Sequence, residues 1–376
     1  MQRILIISFS DLGRDPRVRR QISSLAKRYQ VTVLGRGDPG MPGVEYLHCP
    51  AGPAGPAARA RAVLRLAARR YDAYYRERPH IGRAARTIGA RAFDLVLAND
   101  IDALPLALAV ACGAKVLFDA HEYFPREFEE VWWWRALFQP YLTAQCRRFI
   151  PRAGAMTTVC QGIAEAYGTL CGVQPQVITN APDYADRPCR PTGTDAVAIV
   201  HHGLAIPSRR LELMVELGRA LDRRYRLDFI LAPGSPPGYV AWLRRLAAGD
   251  DRIRFLPPLP FSGIGAALAG YDIGLYLFPP TNFNNRMALP NKFFEFIQAR
   301  LALAIGPSPE MARLVRQHDL GIVADDFSPA GLAVRLNALS PGQIDGYKRN
   351  AGRAALALSS GTNEQLLLDI VRQLIG

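Results

Sequence analysis

Short apolar runs alternate with amphipathic segments along almost the whole chain, and that alternation limits the possible folds more than any other feature. Arg3 to Phe9 is a continuous apolar run followed by the turn Ser10-Asp11-Leu12-Gly13. Asp15 then caps, and Pro16 opens, a segment with Val18, Ile22 and Leu25 at helical spacing, and Val31 to Leu34 supplies the next apolar run. Strand, turn, helix, strand is the unit that builds a parallel sheet. Further strands are expected at Phe93 to Ala98 and Val116 to Asp119, around a helix at Ala103 to Cys112, and at Met156 to Val159 and Val177 to Ile178. Asp186 to Asp195, rich in Pro, Arg and Gly, has turn chemistry throughout and marks a domain boundary. Beyond it the pattern restarts, with strands at Ala196 to His201, Leu227 to Ala232, Ile253 to Leu256, Ile273 to Phe278, Leu301 to Ile305 and Gly321 to Val323.

The expected architecture is therefore α/β, two Rossmann-like halves in tandem. The first is assigned to residues 1–185, with an Asp38 to Pro56 loop rich in Gly and Pro, and the second to residues 195–360; a C-terminal helix at 361–376 is expected to pack back on the first half. At 376 residues the chain is too long for one ordinary domain and suits two, each with its own core. No apolar run approaches the roughly 18 to 20 residues of a membrane span, and the run Ile4 to Ile7 is too short for a signal peptide, so a cytoplasmic protein is expected. Cysteines are scattered without a Cys-x-x-Cys pair, which argues against a zinc site and a disulfide framework; the adjacent His201 and His202 would point to opposite faces of a strand rather than share a metal.

The net charge of +13, carried mainly by arginine, implies an anionic partner: nucleic acid, anionic lipid or a phosphorylated substrate. Much of it lies between Arg59 and Arg91, where only Asp72 and Glu77 oppose the arginines. Read as one helix, this segment puts Leu64, Ala68, Tyr71 and Tyr75 on one face, which suits either an acidic membrane surface or a solvated helix packed on its own domain. Trp132, Trp133 and Trp134 follow later, read first as core and second as an interfacial anchor or lid.

The stretch from Phe278 to Ile305 carries the chemistry. It reads as a polar loop, a helix with Pro290 at its first position, and a short strand. At about 100° per residue, Asn291, Glu295, Gln298 and, at the edge, Lys292 share one stripe opposite Phe293, Phe294, Ile297 and Leu301. A helix N-terminus with Lys292 beside it can hold a phosphate, and Glu295 can accept hydrogen bonds from sugar hydroxyls. An amphipathic helix with a merely solvated polar face is the competing reading. His121, in Asp119-Ala120-His121-Glu122 after a strand end, is a further site candidate, and Gly13 lies in the turn after the first strand.

Several segments resemble, in order, the GT-B-fold retaining glycosyltransferases of family 4, especially bacterial members of surface-polysaccharide and glycolipid assembly. They are Asp15-Pro16-Arg17-Val18-Arg19-Arg20, Ala98-Asn99-Asp100, Asp119-Ala120-His121-Glu122, Asn180-Ala181-Pro182-Asp183, Gly203 with Arg209, and Leu289-Pro290-Asn291-Lys292-Phe293-Phe294-Glu295. The resemblance implies two Rossmann-like domains facing across a cleft, the second binding the nucleotide-sugar and the first the acceptor. It implies that Glu295 binds the ribose, that Leu289, Pro290, Asn291 and Lys292 face the diphosphate and sugar, and that Gly203 admits the donor. Arg209 would hold the diphosphate, His121 the reacting sugar, and Gly13 would lie near the phosphates, with the base near Leu259. The chain departs from the family pattern at Met287, where the first of two glutamates is usual, at Leu204, where an arginine is common, and at Arg300 and Ala302, where Gly and Pro are common.

The implied reaction is a metal-independent transfer, with retention, from a UDP- or GDP-linked sugar to a saccharide or lipid-linked acceptor, with no cofactor. The enzyme would be cytoplasmic, peripheral at an anionic membrane surface. Two other readings stand beside it: a nucleotide-sugar epimerase of similar shape, and a non-catalytic module bound to membrane or nucleic acid. Nucleic acid is disfavoured because basic and aromatic residues are not interleaved on one surface.

Overall fold

Each apolar run read as a strand is a strand, offset by at most two residues at its ends. The computed structural model describes residues 1–50, 52, 55–193 and 196–376, with backbone alone at 261 and 262. The expected boundary at 186–195 and the start of the second half at Asp195 thus run into residues outside those described, as does part of the loop at 38–56. The chain forms two units: Met1–Thr179 with Asn282–Asn284 and Asn363–Gly376, and Asn180–Thr281 with Asn285–Thr362.

The first unit contains β1 (Arg3–Asp11), α1 (Pro16–Ala26), β2 (Gln30–Arg36), β3 (Glu45–His48), α2 (Pro56–Ala67), α3 (Tyr71–Arg76), α4 (Pro79–Ile88), β4 (Leu95–Asn99), α5 (Leu104–Val110), β5 (Lys115–Ala120), α6 (Trp132–Phe149), β6 (Ala155–Thr158), α7 (Gln161–Cys171) and β7 (Gln176–Val177). Its seven strands are parallel in the order β3-β2-β1-β4-β5-β6-β7. Strand order reverses between β1 and β4, the place where such sheets open a crevice at the carboxyl ends of their strands. Asp15 caps α1 through its side chain, which accepts from the Arg17 and Val18 amides at 3.1 Å each.

The second unit contains β8 (Val197–Gly203), α8 (Glu212–Ala220), β9 (Tyr225–Leu231), α9 (Pro237–Ala247), β10 (Ile253–Leu256), α10 (Phe261–Leu268), β11 (Ile273–Tyr276), then α11 (Phe283–Arg286), which begins in the first unit's inserted residues. It continues with α12 (Asn291–Gln298), β12 (Ala302–Ile305), α13 (Pro309–His318), β13 (Gly321–Val323), α14 (Pro329–Asn337) and α15 (Pro341–Ala354). Its six parallel strands run β10-β9-β8-β11-β12-β13, reversing between β8 and β11. The last helix, α16 (Ser360–Ile375), buries Leu367, Leu368, Ile370 and Val371 with Ile4, Ile6 and Val18 in the first unit's core.

Four local expectations change. The loop at 38–56 contains the edge strand β3, four residues long with only Leu47 buried, too short for its alternation to register in the sequence. The arginine-rich segment is three helices: Arg69 adopts φ +52 after α2, and Pro79 opens α4 afresh. The face drawn through it divides accordingly, Leu64 being 68% exposed while Tyr75 is buried with its hydroxyl on the Asp102 carbonyl at 2.8 Å. Trp134 is buried, but Trp132 and Trp133 are exposed. Finally Pro290, with φ −76 and ψ 156, is the N-cap of α12, and Asn291 is the first helical residue.

Candidate functional site

Helix α12 is fixed before any ligand is considered. Phe293, Phe294, Phe296 and Ile297 are buried, and Phe296 lies so close to β11 that a Cβ on Gly274 would be 2.3 Å from its Cγ. The polar stripe is largely internal as well, which removes the reading of a solvated face. Gln298 donates to the Ala355 carbonyl at 2.7 Å and accepts from the Ala185 amide at 3.0 Å. Arg300, at φ +62, occupies a left-handed position that favours glycine; its guanidinium offsets that strain by donating to the Gln298 and Ala185 carbonyls at 2.9 and 2.7 Å.

The other end of α12 meets the carboxyl end of β8. Lys292 is buried and donates from Nζ to the His202 carbonyl at 2.7 Å, with the Tyr276 ring centroid 5.2 Å away. Gly203 turns the chain there with φ +109, and a Cβ on it would be 3.0 Å from Lys292 Nζ, so only glycine leaves room for the ammonium. Burial, reinforced by Arg209 and opposed by Glu295, pulls Lys292 down to about 7. His202 is pulled down to about 3 by burial and by Lys292, and is neutral; its Nε2 lies 3.2 Å from Glu295 Oε2 without hydrogen-bond alignment. His201 faces the other way, its Nδ1 on the Leu275 carbonyl at 3.0 Å. Arg209 closes a one-turn helix, Pro207–Arg209, and donates to the Leu204 carbonyl at 2.9 Å.

These groups surround one cavity of about 410 Å³, wholly within the second unit. Gly203, Arg209, Leu259, Pro290, Asn291, Lys292 and Glu295 line it, so the structure gathers seven of the residues singled out in sequence. Leu289 is buried beside it rather than in its wall. Sequence reasoning missed Ile230 to Pro233, the end of β9 and the turn after it, which form another wall and carry no polar signal to find them by. The chemistry on offer is a cationic pair, a helix N-terminus and a carboxylate one turn further along, which suits a diphosphate joined to a hydroxyl-bearing group.

The remaining candidates lie in the first unit. Gly13 follows β1, its N–H taken by Asp11 Oδ1 at 3.1 Å. His121 follows β5 and sits among three side chains: Asp119 Oδ2 at 3.2 Å, Asn99 Oδ1 at 3.2 Å and Asp100 Oδ2 at 3.6 Å. Burial works against its charge, but the two carboxylates outweigh it and hold His121 up to about 9, an imidazolium at neutral pH. Asp119 is fully buried and accepts from Arg17 Nε and Nη2 at 2.7 and 2.6 Å, Gln21 at 2.6 Å and Thr157 at 2.6 Å. Burial opposes its ionisation, yet Arg17 and His121 keep its carboxyl far below the usual range. Asp100, which carries part of this charge, stands at φ +66 in the turn after β4. Asn282 and Asn284, in the polar loop before Met287, are engaged within the first unit, with the Glu127 carbonyl at 3.0 Å and the Tyr123 amide at 2.8 Å.

Residues 17–186 match the family model described as Glycosyltransferase Family 4. A comparison with curated proteins finds no match. Among solved structures, the chain is similar to Anabaena HepE in complex with UDP-glucose, at 15% identity with 100% of both chains covered and a TM-score of 0.70. It is similar to sucrose-phosphate synthase from Thermosynechococcus elongatus, at 14% identity over 100% of this chain and 99% of that one, TM-score 0.70. It is also similar to WaaG, a glycosyltransferase involved in lipopolysaccharide biosynthesis, at 14% identity over 98% and 99%, TM-score 0.65. Residues 17–186 thus resemble glycosyltransferase family 4, and the chain over its whole length has the GT-B fold of these solved structures.

Proposed function

We propose that the chain transfers a sugar, with retention of configuration and without a metal ion, from a UDP-linked donor to a saccharide or lipid-linked acceptor. The observation that carries this reading is the single cavity around Gly203, Arg209, Lys292 and Glu295. In it the diphosphate lies against Arg209, Lys292 and the first amides of α12, fixed positive charge that stabilises the leaving group as its bond to the anomeric carbon breaks. Glu295 accepts the ribose hydroxyls, and the base reaches Leu259. The acceptor attacks from the side the diphosphate leaves, a phosphate oxygen taking its proton, and His121 holds a sugar hydroxyl rather than acting as nucleophile. UDP is preferred over GDP as the donor nucleotide because HepE and the Escherichia coli trehalose-6-phosphate protein of the same fold were solved with UDP-glucose and UDP-2-fluoro glucose.

The same reading puts the enzyme at the inner face of a membrane as a peripheral protein. No helix among the described residues is long and apolar enough to cross a bilayer. Support for surface binding comes from α2 and α6, which pack together and expose Val63, Leu64, Trp132 and Trp133 in an arginine-rich part of the chain. The test of the catalytic assignment is donor-dependent transfer by Glu295→Ala and Arg209→Ala. Each is expected to fall about 100-fold, the loss of one or two charge-assisted hydrogen bonds; wild-type rates in both overturn it.

A further inference from the structure

His202 lines the cavity of the second unit from the carboxyl end of β8, one residue before the Gly203 turn. Its backbone and its side chain meet different members of the site: the carbonyl accepts from Lys292 Nζ at 2.7 Å, and ring Nε2 stands 3.2 Å from Glu295 Oε2. The ring is buried and held from behind. It stands edge-on to Phe296, with centroids 5.2 Å apart at 87°, and Phe296 is itself pressed against Gly274 of β11. The imidazole therefore takes its place from the packing of α12 on the sheet.

A neutral imidazole carries one N–H and one lone pair. Burial, reinforced by Lys292, draws His202 down to about 3, so the ring is neutral around pH 7. A lone pair on Nε2 would face a carboxylate oxygen, acceptor against acceptor, whereas an N–H there faces a partner; the tautomer with its hydrogen on Nε2 is the favoured one. Nε2 is buried with no hydrogen-bond partner among the described residues, and Glu295 Oε2 is the acceptor within reach of it. Only direction is missing from the pair. The terminal torsion of a glutamate is broad, so the carboxylate can turn to meet the N–H without any movement of α12.

We propose that His202 is a positioning residue: it donates from Nε2 to Glu295 Oε2 and so holds that carboxylate in the orientation that receives the ribose hydroxyls of the donor nucleotide. A carboxylate has about four acceptor positions, and one taken by the imidazole leaves enough for a vicinal diol. Because the donor is neutral, the carboxylate keeps its charge for the hydroxyls. The assignment deepens the nucleoside diphosphate reading of the cavity and rests on it.

The test is calorimetric titration of UDP and of 2′,3′-dideoxy-UDP into the full chain, as wild type, His202→Phe, His202→Gln, Glu295→Ala and the double variant of His202→Phe with Glu295→Ala. Phenylalanine keeps a ring against Phe296 and the backbone carbonyl for Lys292 but has no N–H, whereas glutamine returns one near the place of Nε2. The wild type is expected to bind UDP about tenfold more tightly than the dideoxy nucleotide, the worth of a charge-assisted hydrogen bond. In His202→Phe that preference should shrink to about threefold or less with dideoxy-UDP affinity unchanged, which shows that the site is intact, and His202→Gln should restore most of it. In the Glu295→Ala background, His202→Phe should change neither affinity, since its effect passes through the carboxylate. An undiminished preference in His202→Phe, equal loss of both nucleotides, a glutamine variant no better than the phenylalanine one, or a further loss on top of Glu295→Ala overturns this assignment alone. A wild type that binds the two nucleotides equally, or binds neither, overturns the donor-site reading and this assignment with it.

Discussion

An ammonium group buried on one backbone carbonyl needs little to lose its proton. Lys292 has an ordinary value of 10.5 and is drawn down to about 7, chiefly by burial and then by Arg209, with Glu295 alone pulling the other way. The other groups facing it do not titrate nearby: burial keeps His201 and His202 neutral and pushes Tyr276 up to about 12. A diphosphate favours the charged lysine, so its pKa rises in the complex. Below about pH 7 the site is already cationic and UDP affinity should be flat; above it binding must take up a proton, and affinity should fall by up to about tenfold per pH unit. Titrations of UDP across that range check this, with Lys292→Met expected to bind more weakly and without the slope. A wild-type affinity unchanged from about pH 7 to about pH 9 would contradict it. Lys292 and Glu295 were legible because helical spacing fixes their shared side of α12. The setting of His121 was not: Arg17 and Asp119 are 102 positions apart, and no local pattern reports such a pair.

Helix α12 presents those side chains because its other face is locked to the sheet. A methyl group on Gly274 would enter the Phe296 ring, so Gly274→Ala should push the helix outward, costing about 1 to 3 kcal/mol. Thermal unfolding should show a lower Tm, and UDP binding at a temperature where the variant is folded should weaken as Lys292 and Glu295 move; an unchanged Tm would mean that the packing is looser than described. The sequence shows this element well, since four of its eight residues are apolar and define a face. It shows poorly what breaks a helix when the break is conformational. Arg69 at φ +52 interrupts the arginine-rich segment with nothing in its side chain to announce it, whereas Pro79 marks its break by residue type. Arg300 in a left-handed position is similar: a residue that looks like a departure from glycine keeps the turn by capping carbonyls with its own side chain.

At the scale of the molecule, two parallel sheets each reverse strand order once, between β1 and β4 and between β8 and β11, and a cavity opens beside each reversal. This was the most legible level, because strand and helix periods repeat along the chain while only short elements such as β3 fall below the pattern. The net charge of +13 and the exposed Leu64, Trp132 and Trp133 belong to the same scale. Co-sedimentation with anionic but not neutral vesicles is expected, weakening as salt screens the arginines; equal partition to both would discard the membrane reading. The central claim, a nucleoside diphosphate site in the second unit, is tested most directly by calorimetric titration of UDP into the wild-type chain and Glu295→Ala. Saturable binding to the wild type, weakened at least about tenfold in Glu295→Ala, is the predicted result. No heat of binding to the wild type, or equal affinity in the two proteins, would contradict it.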